Sequence, residues 1–88
     1  MPKFMSCHTM PPGAVQRHQM DQLAEAASAD AVVNPYRSFA NLAEGRVFCI
    51  MEAPSREDLE AWFAKMQMPC DYVTALELEG DRGVIGQA

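Results

Sequence analysis

The 88-residue chain is small and acidic, with a formal net charge of −5 and only seven scattered Lys and Arg residues. This charge balance argues against a nucleic-acid surface and against binding to an anionic membrane. No stretch approaches the ~20 apolar residues of a membrane helix, and the N-terminus lacks the apolar segment of a signal peptide. The three cysteines are odd in number and form no CxxC pair, so we expect free thiols in a reducing cytoplasm.

The first half of the chain predicts strand, helix, strand. A strand is predicted at about Lys3 to His8, followed by a loop rich in proline and glycine. Apolar residues then recur at helical spacing from Ala14 to Ala29. Tyr36 to Asn41 has the composition of a second strand, and a short turn ending at Gly45 predicts a hairpin to the third.

The stretch from Gly45 to Met68 carries the clearest signals. Arg46 to Glu52 is rich in apolar and β-branched residues, as in a strand covered by protein. Pro54 ends that strand, and Ser55 occupies the N-cap position of a second helix. The predicted buried face of this helix follows the i, i+3, i+4, i+7 rule and consists of Leu59, Trp62, Phe63 and Met66.

The remaining residues complete a β-α-β-β-α-β order. A fourth strand is predicted from Asp71 to Glu79, ended by Gly80 to Gly83, with a short tail from about residue 81. With right-handed crossovers, this order closes as an α+β, ferredoxin-like sandwich. Its four-stranded antiparallel sheet has the order 4-1-3-2, with both helices on one face. We expect residues 1–88 to form one such domain.

The uncovered face of this sheet predicts a homodimer of the dimeric α/β-barrel kind. Both alternating sets of strand residues contain several apolar side chains, so either face is too apolar for a monomer surface. Packing the sheets face to face would cover it. One predicted set is Lys3, Met5, Cys7, Val47, Cys49, Met51, Val73 and Ala75, and the other is their neighbours.

Three blocks of sequence carry a resemblance to a known family. They are G-x-V-F-C-I-x-E-A-P-S-x-E-D-L at Gly45 to Leu59, M-P-x-D-x-V-T at Met68 to Thr74, and K-F-M-x-C-H-x-M at Lys3 to Met10. The chain resembles a family of small bacterial ferredoxin-like proteins of unknown function that includes nickel-binding members. The resemblance implies a dimer.

The same resemblance implies a metal site that uses a histidine of the first strand, and His8 is the matching position. Nickel-binding relatives tend to carry further histidines in the first helix and just before the proline that follows the second helix. This chain has Ala27 and Met68 at those places.

Five side chains are candidate ligands for nickel or copper. An imidazole at His8 suits nickel, copper or zinc, although a strand-end histidine bonded to the loop is the alternative. Cys49 lies in the neighbouring third strand, where a thiol more often serves as a small apolar side chain. Met10 and Met68 offer thioethers that suit Cu(I), provided that their loops meet at one end of the sheet. Glu52 is either a ligand, a general base or a solvated carboxylate.

The sequence therefore predicts a dimeric protein that binds a transition metal for sequestration or sensing. No P-loop, GxGxxG, H-E-x-x-H or Ser-His-Asp spacing is present, so binding is expected rather than catalysis. The alternative is a small-molecule-binding protein or a cofactor-independent enzyme of the dimeric α/β-barrel monooxygenase kind. Its cleft would be lined by Tyr36, Phe39, Trp62 and Phe63.

Overall fold

Six strands and two helices follow one another in the computed structural model, which describes residues 1–88. They are β1 (Lys3–Thr9), α1 (Arg17–Ala29), β2 (Asn34–Asn41), β3 (Arg46–Glu52), α2 (Arg56–Lys65), β4 (Tyr72–Ala75), β5 (Leu78–Asp81) and β6 (Val84–Gln87). The first four strands form an antiparallel sheet in the order β2-β3-β1-β4. The predicted ferredoxin-like α+β topology is confirmed. Neither helix has the length and apolar character that a membrane crossing requires.

One face of the sheet carries the core and lies under both helices. On this face Ser6 of β1 pairs with Cys49 of β3 and with Val73 of β4. Met5 pairs with Ile50 on the opposite face. The predicted set that joined Met5 to Cys49 was therefore wrong, because a register offset of one residue moves a side chain to the other face. The core consists of Phe4, Ala27, Val33, Val47, Cys49, Met51, Ala53, Leu59, Trp62, Phe63 and Val73.

The second helix begins as predicted. The Ser55 hydroxyl accepts the backbone N–H of Asp58 at 3.1 Å, which satisfies one free donor of the first turn. Leu59, Trp62 and Phe63 are buried along one side of α2. This face holds the helix against the sheet.

The end of α2 turns sharply into the loop that precedes β4. The N–H of Met68 donates to the carbonyl of Phe63, and the N–H of Gln67 donates to that of Ala64, both at 3.0 Å. Gln67 has a φ of 57°. This is a Schellman motif with glutamine at the position that glycine usually occupies.

The first helix is shorter than predicted because a turn at Gly13 precedes it and its first residue comes later in the chain. Gly13 has a φ of 74°, and the helix begins at Arg17 rather than Ala14. The side chain of Gln19 accepts the backbone N–H of Gln16 at 2.8 Å, which fixes this later start.

The C-terminal residues form a hairpin instead of a tail. The predicted strand from Asp71 to Glu79 was wrong, since β4 ends at Ala75 and Leu78–Asp81 pairs with Val84–Gln87. Arg82 and Gly83, with φ of 51° and 85°, form the tight turn between β5 and β6. Two consecutive left-handed residues match the twist of a hairpin. Residues Gly80 to Gly83, which were predicted to end the fourth strand, therefore form the middle of the β5–β6 hairpin.

Candidate metal centre

The side chain of His8 is fully buried near the end of β1, and both of its ring nitrogens have hydrogen-bond partners. Nδ1 lies 2.6 Å from the carbonyl oxygen of Pro69. Because a carbonyl can only accept, Nδ1 carries the proton. Nε2 then accepts from the Ser6 hydroxyl, 2.8 Å away. The Phe63 ring packs against the imidazole edge to face, with 4.5 Å between ring centroids.

The environment keeps this imidazole neutral. Burial lowers the pKa of His8, against smaller raising effects of the Pro69 hydrogen bond and the Asp71 carboxylate. A neutral imidazole has one nitrogen lone pair, which is the group that binds transition metals. In His8 that lone pair is at Nε2 and faces the hydroxyl of Ser6.

Met10 and Met68 meet at the same end of the sheet as His8. Both line a groove of about 270 Å³, to which Pro69 also contributes. The N–H of Met10 donates to the carbonyl of Gly45 at 2.9 Å, which fixes the chain just after β1. The condition set above, that these two loops meet, is therefore fulfilled, and metal binding by their thioethers stays a prediction.

Cys49 and Glu52 lie elsewhere on β3. Cys49 is buried in the core opposite Ser6, and burial raises the pKa of its thiol, so the thiol stays protonated. A protonated thiol is a poor metal ligand. Glu52 pairs with Lys3 at the far end of β1, a strand length away from His8. The structure therefore places Met10 and Met68 in one groove and His8 against Pro69 of its wall, and it leaves Glu52 apart from them.

The donors gathered at this end are one imidazole nitrogen and thioether sulfurs. No group of three or more His, Cys, Asp or Glu side chains lies close enough to hold a metal ion. A single chain therefore does not assemble the nitrogen- and oxygen-rich donor set that nickel usually takes.

Two residues at this site were missed by sequence reasoning. Ser6 stands two residues before His8 in the same strand, and that spacing alone could have placed its hydroxyl on the same face. Pro69 contributes a backbone carbonyl, whose direction depends on the loop conformation after α2. The sequence offers no signal for it.

The aromatic cleft of the alternative hypothesis is not assembled in one chain. Phe39 pairs with Phe48 on the uncovered face of the sheet, whereas Trp62 and Phe63 lie in the core on the other face. The gap between α1 and the sheet beside Trp62 measures about 40 Å³. That space holds one or two water molecules, not an aromatic substrate.

Comparisons with known proteins agree with this fold. Residues 4–76 match the family described as "Nickel responsive protein SCO4226-like". No curated protein matches the chain significantly. The fold is similar to the crystal structure of SCO4226 from Streptomyces coelicolor A3(2), with a TM-score of 0.73 and 26% sequence identity. The match covers 89% of this chain and 99% of that one. Since the family match spans most of its length, this chain belongs to the SCO4226-like family of nickel responsive proteins.

Proposed function

We propose that this protein binds a transition metal ion, nickel first, at the sheet end that holds His8, Met10 and Met68. The observation that carries the proposal is the neutral imidazole of His8, whose Nε2 lone pair faces only the Ser6 hydroxyl. The membership of this chain in a nickel responsive family supports the choice of nickel as the metal. The role is sequestration or sensing in the cytoplasm, where the three cysteines stay free.

Metal binding at Nε2 is an exchange of partners. The metal replaces the hydrogen bond from Ser6, while Nδ1–H keeps its bond to Pro69 and holds the ring in place. The freed Ser6 hydroxyl has a second acceptor, the carbonyl oxygen of Cys49 at 3.4 Å. Replacing the Ser6 hydrogen bond with a metal ion therefore leaves the buried Ser6 hydroxyl with an acceptor.

Because His8 is fully buried, the fold around it has to open transiently for an ion to enter. The thioethers of Met10 and Met68 line the groove beside Pro69 and would meet the ion first. Further donors would come from solvent or from a second copy of the chain.

We also propose that the active form is a homodimer. The face of the sheet away from the helices exposes aromatic side chains, among them Phe39 at 48% and Tyr72 at 52%. The β5–β6 hairpin adds Val84 and Ile85, which are 73% and 66% exposed. A second copy packed on this face would cover apolar area that one 88-residue chain leaves in water.

Equilibrium dialysis against Ni(II), followed by metal analysis, tests the proposed function. Wild-type protein and His18→Ala, a control at an exposed histidine of α1, should bind nickel equally. His8→Ala should lose most of the binding. His8→Gln repeats the comparison with a side chain that can still donate to Pro69, in case the alanine variant unfolds. No bound nickel in the wild type, or equal binding by all four proteins, would remove the proposal.

A further inference from the structure

Four of the seven methionines line a single groove. Met10 follows β1, Met20 lies in α1, and Met66 and Met68 follow α2. The groove measures about 270 Å³, and all four side chains are half-buried. Segments far apart in the chain thus bring methionine side chains to one groove that solvent can reach.

The backbone fixes the two methionines after α2 on either side of a left-handed residue. Gln67, with a φ of 57°, separates Met66 from Met68. The Schellman hydrogen bonds of Gln67 and Met68 hold this turn, and His8 holds Pro69 just beyond it. Backbone hydrogen bonds at Gln67 and Met68 and the contact of His8 with Pro69 therefore fix the segment from Met66 to Pro69 that forms this wall of the groove.

The chemistry of the lining favours a soft cation of low charge. No charged side chain lines the groove, and its polar side chains are the amides of Gln19 and Gln67. Thioethers are neutral and carry no proton to lose, so they favour Cu(I) and Ag(I) over Ni(II). The net charge of −5 adds a general attraction for cations.

The groove methionines lie at the edge of the core rather than inside it. All four pack against the core while staying half-buried, and three of them, Met10, Met66 and Met68, lie outside the helices, where no helical period requires an apolar side chain. By contrast, Met51 is buried within the core, and Met5 lies on the opposite face of the sheet.

We propose that this methionine groove binds a soft monovalent cation of the Cu(I) class through the sulfurs of Met10, Met20, Met66 and Met68. The inference rests on the proposed function only in assigning a metal ion to this end of the sheet. It requires neither the imidazole of His8 nor nickel.

Titration with silver nitrate in chloride-free buffer tests the groove, because Ag(I) has the ligand preferences of Cu(I) without its redox chemistry. Protein labelled with ¹³C at the methionine methyl groups reports each thioether separately, even if the cysteines also take up silver. Cys70→Ser removes the most accessible thiol. In that background we expect the methyl signals of the four groove methionines to shift, while those of Met5 and Met51 stay in place.

The double variant Met10→Leu, Met68→Leu should weaken silver binding at the groove at least about tenfold. Met5→Leu is the matched control and should leave the affinity unchanged. Shifts at Met5 and Met51 only, or equal affinity in the double variant, would overturn the proposal. Nickel dialysis on the His8 variants is a separate measurement, so the two proposals can fail independently.

Discussion

The hydroxyl oxygen of Ser6 lies 2.8 Å from Nε2 of His8, so the one imidazole nitrogen open to a metal ion already accepts a hydrogen bond. A nickel ion bound as proposed would have to displace this hydroxyl. Under that proposal Ser6 competes with the metal for His8.

Replacing Ser6 with alanine should strengthen nickel binding and weaken the apo fold. The metal no longer has to break a hydrogen bond, whereas without metal the buried Nε2 atom is left unpaired, at a cost of about 1–3 kcal/mol. Nickel titration by calorimetry and chemical denaturation of the apoprotein measure the two effects. Ser28→Ala, at an exposed position of α1, should leave nickel affinity unchanged. Weaker nickel binding by Ser6→Ala would contradict the exchange.

Acid should destabilise the apoprotein through His8. Burial lowers the pKa of His8 below its ordinary 6.5, so the unfolded chain binds this proton more readily than the folded one. The stabilising contribution of the neutral ring is complete above about pH 6.5. It decreases as the pH falls from there toward the lowered pKa of the folded state.

Urea denaturation at a series of pH values from 7.5 to 5, in steps of about half a unit, measures this effect. His8→Gln should flatten the profile over that window, and His18→Gln should not. A wild-type stability that stays level below pH 6.5, or rises, would rule out a buried neutral His8.

Two glycines in loops of this chain have the same backbone angle but different surroundings. Gly13 and Gly45 both have a φ of 74°. A Cβ at Gly45 would overlap the carbonyl oxygen of Met10, whereas one at Gly13 meets nothing within 4 Å. Gly13→Ala should therefore cost only the conformational strain, about 1–2 kcal/mol.

Gly45→Ala should cost about 1–3 kcal/mol more than Gly13→Ala, because the Met10 backbone must move. It should also disturb the methionine groove, which the methyl signal of Met10 would report. Thermal or urea unfolding of the pair provides the comparison, and equal losses would show that the contact with Met10 does not matter.

Glycine at position 67 should stabilise the protein. Relief of about 1–2 kcal/mol of left-handed strain exceeds the roughly 0.5–1 kcal/mol that the greater freedom of glycine costs in folding. Gln67→Ala removes the same amide without relieving the strain, so it should bring no gain. The difference in unfolding midpoint between the two variants isolates the backbone effect. A Gln67→Gly protein no more stable than Gln67→Ala would refute it.

The protein should sediment at twice its chain mass of 9.7 kDa at micromolar concentration. Phe39→Glu places a charge on the uncovered face of the sheet and should return the mass to that of one chain. Gln22→Glu, on the exposed side of α1, adds the same charge away from that face and should remain dimeric. A wild-type mass near 9.7 kDa would exclude the dimer.

Strong local signals explain which parts of the fold could be predicted. The bounds of β3 and the cap at Ser55 follow from a continuous apolar run, a proline and a serine, all adjacent in sequence. The β5–β6 hairpin was missed because its turn depends on Arg82 adopting a left-handed conformation, which arginine rarely does alone. The register of β1 against β3 was also misjudged, since an offset of one residue leaves the hydrophobic pattern almost as plausible.

The candidate site was predictable mainly in its topology. Strand order places the end of β1 beside the loop after α2, which is sufficient to bring His8, Met10 and Met68 to one end. The state of the imidazole depends instead on two atoms, the Pro69 carbonyl oxygen and the Ser6 hydroxyl. The Pro69 carbonyl is positioned by a helix end with an uncommon backbone angle at Gln67, which no residue pattern predicts. The Ser6 hydroxyl was open to prediction, because Ser6 and His8 stand two residues apart in one strand.

The central position of β1 has a consequence for how the protein is made. Among the strands of the sheet, β1 is translated first, and its partners follow much later in the chain. Cys49 lies 43 residues after Ser6, and Pro69 lies 61 residues after His8. Contacts this distant in sequence slow folding, because a long loop must close before any of them forms. On the ribosome, the nascent chain therefore holds His8 and Cys49 exposed until almost the whole sheet has been translated. A Cys49 thiol exposed in that interval is open to oxidants from which its burial in the finished fold protects it.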